Sequence, residues 1–231
     1  MTNLIIASAM FFLIHAVVAG TTFRFWLVGK IGLKVYVALF SIGSLVALIW
    51  MSRAYNAVSE LGLQPGLLTY PWGDWLAVVV MFFSIMFVVV GLLTKSPTAM
   101  EQGQLLEQDD IATGMLRITR HPFLVGVALW AIMHMITNSD VGSLVFFGTF
   151  LVVVLNGMRN IDRKRLHIHG DQWTRFADQT STMPFAAIIK GRNSLKLGEI
   201  GVVKLLAGLV VYLALAWFHH DLFSVPTMLF P

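Results

Sequence analysis

"VVVMFFSIMFVVVGLL", residues 78–93, has no charged side chain and one serine in sixteen positions. It does not alternate apolar with polar residues, as a strand of a membrane barrel must. Only helices and closed barrels satisfy their backbone groups inside a bilayer, so this stretch is a helix and the fold is all-α. The rest of the chain agrees: of 231 residues, 57% are hydrophobic and only 12% charged, and the mean hydropathy is +0.78. Those values lie far from a soluble domain and describe an integral membrane protein.

About 20 apolar residues in helix cross the roughly 30 Å hydrocarbon core. Six stretches meet or approach that length: 4–20, 31–51, 75–93, 122–137, 141–158 and 200–218. The fourth is the shortest, so five spans is the alternative count. The expected architecture is a polytopic helix bundle, one membrane domain over residues 1–231, with a cytoplasmic or interfacial segment at about 159–199. No repeat and no Pro-, Gly- or Ser-rich linker divides it.

Basic residues fix an expected orientation, because positive charge stays on the cytoplasmic side. With six spans, fifteen of the sixteen Lys and Arg fall in the first, third and fifth loops or the helix ends beside them, and only Arg53 falls opposite. Both termini are then periplasmic if the host is bacterial, with the protein in the inner membrane and the basic loops cytoplasmic. The net charge of +4 is what a loop over anionic lipid requires and calls for no nucleic acid. Cysteine is absent, which excludes thiolate chemistry, disulfides and cysteine metal sites. A cleaved leader over residues 1–20, ending at "VVA", is the competing reading of the first span, but "MTN" lacks the basic start such leaders carry.

Two loops are informative. The third, residues 94–120, is acidic, with Glu101, Glu107, Asp109 and Asp110. The fifth continues the fifth helix to a stop near Gly170 and then sets Trp173, Phe176 and Phe185 among basic residues, as an interfacial or a solvated segment would. "TNSD", 137–140, is a tight turn in which Ser139 or Asp140 can cap the next helix. Asp162, Arg163, Lys164 and Arg165 read as a solvated charge run, and His167 and His169 as solvated too; "HHD" at 219–221 is a weak metal pattern.

Ionisable residues inside a bilayer cost roughly 2.5 kcal/mol or more, so each is a functional candidate. His15 lies within the first span and His134 deep in the fourth. Each imidazole could simply bond a neighbouring carbonyl; alternatively the pair, as neutral nitrogen ligands from two helices, could clamp a haem. His121 precedes Pro122, a proline suited to the first helical position. Arg120, His121 and the free N–H groups of that helix would then meet at the membrane surface, where an anion is favoured. The bland alternative is a basic anchor with a proline start. By depth, His15 could pair with His121 as readily as with His134.

"RITRHPFLVGVALWAIMHM", 117–135, resembles the signature of the NnrU family, bacterial membrane proteins encoded near denitrification genes, whose plant relatives are 15-cis-ζ-carotene isomerases. "GDQWTRFADQTSTMPFAAIIKGR", 170–192, and "IGVVKLLAGLVVYLALAWFHHDLFSVP", 200–226, extend the likeness, and His15 followed by Arg24 sits where the family has a first-helix histidine and arginine. The resemblance implies haem b held by His15 and His134, with His121 as the alternative ligand and Arg24, Arg120 and His121 as further cofactor-binding residues. Arg120 would hold the haem propionates. The isomerases' extra cysteine falls on Ala131, so no thiolate can exchange onto an iron here.

Three functions follow from the likeness. The first is a haem protein linked to nitrite and nitric oxide metabolism. The second is a haem-dependent cis–trans isomerase of a lipophilic polyene taken from membrane lipid. The third rests on a broader similarity to isoprenylcysteine methyltransferases, whose RHP-x-x-x-G element helps hold S-adenosylmethionine and matches residues 120–126. The paired glutamates usual in those enzymes are missing from "NIDRKRLHIHG".

Overall fold

A computed structural model describes residues 1–59, 71–99, 102–108, 110–223, 227 and 229. Glu101 and Asp109 of the acidic loop lie outside them. All regular structure among the described residues is helical, as the unbroken apolar runs require. Four helices are long and apolar enough to cross a bilayer: α3 (Leu33–Ser59), α4 (Pro71–Leu92), α7 (Val141–His169) and α10 (Val202–Phe223). The protein is therefore an integral membrane protein with a helical bundle fold.

The first expected span is not straight. α1 (Thr2–Leu13) widens into a π-turn at Ile14–Val18, stops, and resumes as α2 (Phe23–Ile31) after a bend of 78°. A side chain on Gly20 would collide with the carbonyl of Ala16, so the chain can make this break only at glycine. Residues 23–31, read from the sequence mainly as loop, are helical. The fourth expected span is α6 (Pro122–Asn138), whose 17 residues rise only about 25 Å. The six expected spans, the fourth already the shortest, thus become four full-length helices, a bent pair able to serve as a fifth, and a short sixth.

Contacts group the chain into two compact units, and neither is continuous in sequence, which is why no linker marks them. The first comprises residues 1–70 and 131–160. Here Trp50 Nε1 donates to Asn3 Oδ1 at 3.0 Å and ties α1 to α3, while Tyr36 OH donates to the Val18 carbonyl at 3.3 Å across the π-turn. Asp140 caps α7 by accepting the Ser143 N–H at 2.9 Å, and Ser139 makes the tight turn with φ of 53°.

The second unit comprises residues 71–130 and 161–231. Glycine lets α4 and α6 touch backbone to backbone: a Cβ on Gly126 would lie 2.7 Å from the Ser84 carbonyl oxygen and the Val88 nitrogen. Ser84 Oγ, fully buried, donates to the Gly126 carbonyl at 2.9 Å across the same contact. Tyr212 OH donates to the Val78 carbonyl at 3.1 Å and joins α10 to α4.

α7 ends at His169, and Gly170, with φ of 50°, turns the chain into α8 (Asp171–Gln179). Trp173 and Phe176, expected at an interface, are instead buried in a small core with Leu106, Ala112 and Leu116. Their spacing of three puts both rings on one face of α8, and that face closes on the turn at Gly103–Glu107. His169 is half-buried and packs near Gly103, whereas His167 is exposed as expected.

Candidate functional site

The sequence candidates fall into two clusters, one in each unit. The first is built on the π-turn. His15 occupies it, and Ala19 N–H reaches back five residues to the Ile14 carbonyl at 3.2 Å. A π-turn carries one more residue per turn than an α-helix and recurs at functional sites. His15 Nδ1 donates to the Phe11 carbonyl at 2.8 Å, which fixes the tautomer and leaves Nε2 with its lone pair.

Aromatic rings surround that imidazole. Its centroid lies 4.4 Å from Phe11 and 5.4 Å from Phe40. Phe11 meets Phe150 at 5.3 Å, Phe150 meets Phe146 at 5.3 Å, and Phe146 meets Phe147 at 5.0 Å. Phe147 then stacks on the ring of His134 at 4.7 Å. The two intramembrane histidines are thus joined within one unit by a ladder of phenyl rings. Arg24, on α2 of the same unit, lies over the rings of Tyr36 at 5.5 Å and Phe25 at 5.8 Å.

His15 by itself has the hydrogen-bonding pattern of a haem ligand. A metal-bound histidine ordinarily gives its other ring N–H to a carbonyl or carboxylate, which is what His15 does. The surrounding phenyl rings are the apolar walls a porphyrin needs. Among the described residues no three of His, Cys, Asp or Glu converge on a point where a metal ion could sit.

The second cluster centres on Asp162, which the sequence reading left in a solvated charge run. Arg120 Nε and Nη2 bind its carboxylate at 3.0 Å and 2.5 Å, and His121 Nε2 donates to Oδ1 at 2.7 Å. His121 is only 2% exposed, and its Nδ1 is buried without a hydrogen-bond partner. Thr182 Oγ1 adds a longer contact to Asp162 at 3.5 Å. The signal for this pairing was in the helical period: Asp162, Arg165 and His169 share one face of α7, and that face is turned inward while Arg163 and His167 are exposed.

The segment 180–193 clasps the arginine and histidine from outside. Arg120 N–H donates to the Ser181 carbonyl at 2.9 Å, Thr119 Oγ1 to the Thr182 carbonyl at 2.8 Å, and Phe185 N–H to the Ile118 carbonyl at 2.8 Å. A neighbouring bridge closes the third and fifth loops: Arg117 Nε donates to Glu199 at 2.7 Å, and Gly114 N–H to the same carboxylate at 3.0 Å. These contacts, led by Arg117, hold the Glu199 carboxyl down to about 2.

Arg120 and His121 are therefore brought together as expected, but around an internal carboxylate. The N-terminus of α6 beside them is also occupied, because Gly91 packs directly on the Phe123 backbone nitrogen. The edge of Arg120 that a haem propionate or S-adenosylmethionine would use is engaged by Asp162.

Taken together, a bundle of membrane-length helices, a histidine in a π-turn and an aromatic ladder to a second histidine define a helical membrane protein with an apolar site in one unit and a charged clasp in the other. The NnrU profile, described as "NnrU protein", matches residues 3–227, and the chain belongs to that family. The 15-cis-zeta-carotene isomerase of Zea mays chloroplasts is 37% identical over 83 residues, 36% of this chain and 23% of that protein. The Arabidopsis thaliana chloroplast enzyme of the same name is 32% identical over 124 residues, 52% of this chain and 32% of that protein. The aligned part thus spans only 23% and 32% of these curated relatives. No solved structure matches the chain.

Proposed function

We propose that this membrane protein isomerises a cis double bond of a lipophilic polyene, with haem b held by His15 and His134. The observation that carries the reading is the fixed tautomer of His15, whose Nε2 lone pair is left open among phenyl rings. The names of the two plant relatives support it and supply the substrate class, a 15-cis carotene. Haem, if bound and with one of the two histidines displaced by substrate, would supply an iron able to withdraw electron density from a double bond and so ease rotation about it. The chain's part is to orient the His15 ring through the Phe11 carbonyl and to seat His134 on Phe147. The phenyl ladder keeps water from an apolar substrate arriving from the lipid.

A second reading is a haem protein that would keep both histidines as ligands and serve nitrite and nitric oxide metabolism without isomerising anything. What favours it is coverage: the family match runs over nearly the whole chain, whereas the isomerase alignments cover 36% and 52% of it. In either case, if the host is bacterial, the protein would sit in the inner membrane with both termini periplasmic and the basic loops cytoplasmic.

One experiment separates the two. The protein is expressed in cells that accumulate 15-cis-ζ-carotene, pigments are resolved by chromatography, and visible spectra of the purified protein are taken oxidised and dithionite-reduced. Loss of the 15-cis form to a product that is trans at that bond, abolished in His15→Ala, is the expected result. A haem spectrum without conversion would leave the second reading, and a featureless spectrum would remove both.

A further inference from the structure

Trp173 and Phe176 are buried, yet the chain just beyond them exposes one large apolar side chain after another: Met183 is 72% exposed, Ile189 82% and Leu197 60%, with Phe185 and Leu195 also outside. Phe185 is the most unusual of these. Its φ is 63°, a left-handed conformation that a bulky side chain rarely adopts. The strain is held by the bond from Phe185 N–H to the Ile118 carbonyl at 2.8 Å and by Ile189 N–H returning to the Phe185 carbonyl at 2.9 Å. Backbone bonding therefore fixes a phenyl ring on the surface, where burial gives it nothing.

Basic side chains are interleaved with these residues. Lys190 is exposed, Lys196 has a side chain 54% exposed beside Glu199, and Arg192 ties the segment down by donating to the carbonyls of Ala177 and Asp178. The segment runs directly into α10, a membrane-length helix whose first residues, Val202 and Val203, are 71% and 80% exposed. An apolar surface mixed with cations, continuous with a spanning helix, matches the boundary between acyl chains and anionic headgroups.

We infer that residues 183–197 form a rigid lipid-docking surface in which Met183, Phe185, Ile189, Leu195 and Leu197 enter the headgroup boundary of the leaflet where α10 begins, and Lys190 and Lys196 meet anionic lipid. This inference is independent of haem and of isomerisation.

The chain contains no cysteine, so single-cysteine variants can be labelled without background. Met183→Cys, Ile189→Cys and Asp171→Cys, each carrying an environment-sensitive nitrobenzoxadiazole dye, are placed in nanodiscs of phosphatidylcholine with and without phosphatidylglycerol. Labels at 183 and 189 should emit blue-shifted light and be quenched severalfold by nitroxide-bearing lipid, more strongly with phosphatidylglycerol present. The label at 171 should behave as in water. Lys190→Glu should remove the dependence on phosphatidylglycerol. Water-like emission at 183 and 189 would overturn the inference, and a blue shift without lipid quenching would do so in favour of a protein partner or a second copy. Equal quenching in both lipids would overturn the anionic-lipid assignment.

Discussion

His15 and His121 are both histidines of a mostly apolar chain, and the fold holds them in opposite ways. His15 gives its N–H to a neutral carbonyl on its own helix and is otherwise surrounded by rings. His121 gives its N–H to a carboxylate shared with Arg120, inside a loop clasp. The first arrangement leaves a nitrogen for a ligand and asks little of the surrounding backbone. The second spends the side chain on structure, since a part-buried carboxylate is held by the donors around it. Two histidines thus divide into one held by its own helix among phenyl rings and one that holds loops together.

The sharpest test of that division is haem content, a proposal in which the two kinds of histidine should differ most. His15→Ala and His134→Ala should each lose most bound haem in a pyridine haemochrome assay, while His167→Ala and His169→Ala keep it. Normal loading in the first two variants would erase the contrast.

Stability should show the reverse order. Asp162→Ala leaves Arg120 charged and unpaired in a part-buried site, where breaking such a pair costs about 3–5 kcal/mol. Thermal unfolding in detergent should therefore fall far more for Asp162→Ala than for His134→Ala. A double-mutant cycle of Arg120→Ala with Asp162→Ala should return a coupling well above that of an exposed pair.

A smaller loss is expected from Gly126→Ala, because the added methyl must displace the α4 backbone at Ser84 and Val88. Overpacking of this kind costs about 1–3 kcal/mol. An unchanged melting temperature would mean that α4 and α6 are looser than described.

The smallest effect concerns acid. The Glu199 pKa, ordinarily 4.5, is about 2 in the folded protein, so the unfolded chain binds the proton more readily. The bridge from Arg117 and Gly114 contributes fully above pH 4.5 and is lost as pH falls towards and through 2. Glu199→Gln should flatten the stability profile over that window, lowering stability at neutral pH and converging on the wild type as pH falls towards 2. Identical acid profiles for the two proteins would place the titration elsewhere.

Much of the fold was legible because a bilayer imposes length and apolarity at once. The helices α3, α4, α7 and α10 follow from their uncharged runs, the stop at Gly170 from its position after a helical stretch, and the turn before α7 from Ser139 and Asp140. What escaped were features that depend on partners distant in sequence. Asp162 sits beside three basic residues and so reads as solvated, although the carboxylate answers to Arg120 and His121 some forty residues earlier. The buried face of α8 was hidden because its cover, around Leu106, belongs to a loop that looked merely acidic. At the candidate site, the types and spans of His15 and His134 were visible, but the ladder between them was not: it combines Phe11 of the first helix with Phe146, Phe147 and Phe150 of the seventh.

The wide turn at Ile14–Val18 means that the first helix contains one residue that an α-helical repeat would not need. Excising a single position there, Ala16 for instance, would restore ordinary winding while keeping the faces of the flanking turns in phase. His15 would then have to choose between its carbonyl and its place among the rings. An inserted residue of this kind is a compact way for a lineage to aim one imidazole independently of the helix that carries it, without altering a single neighbouring side chain.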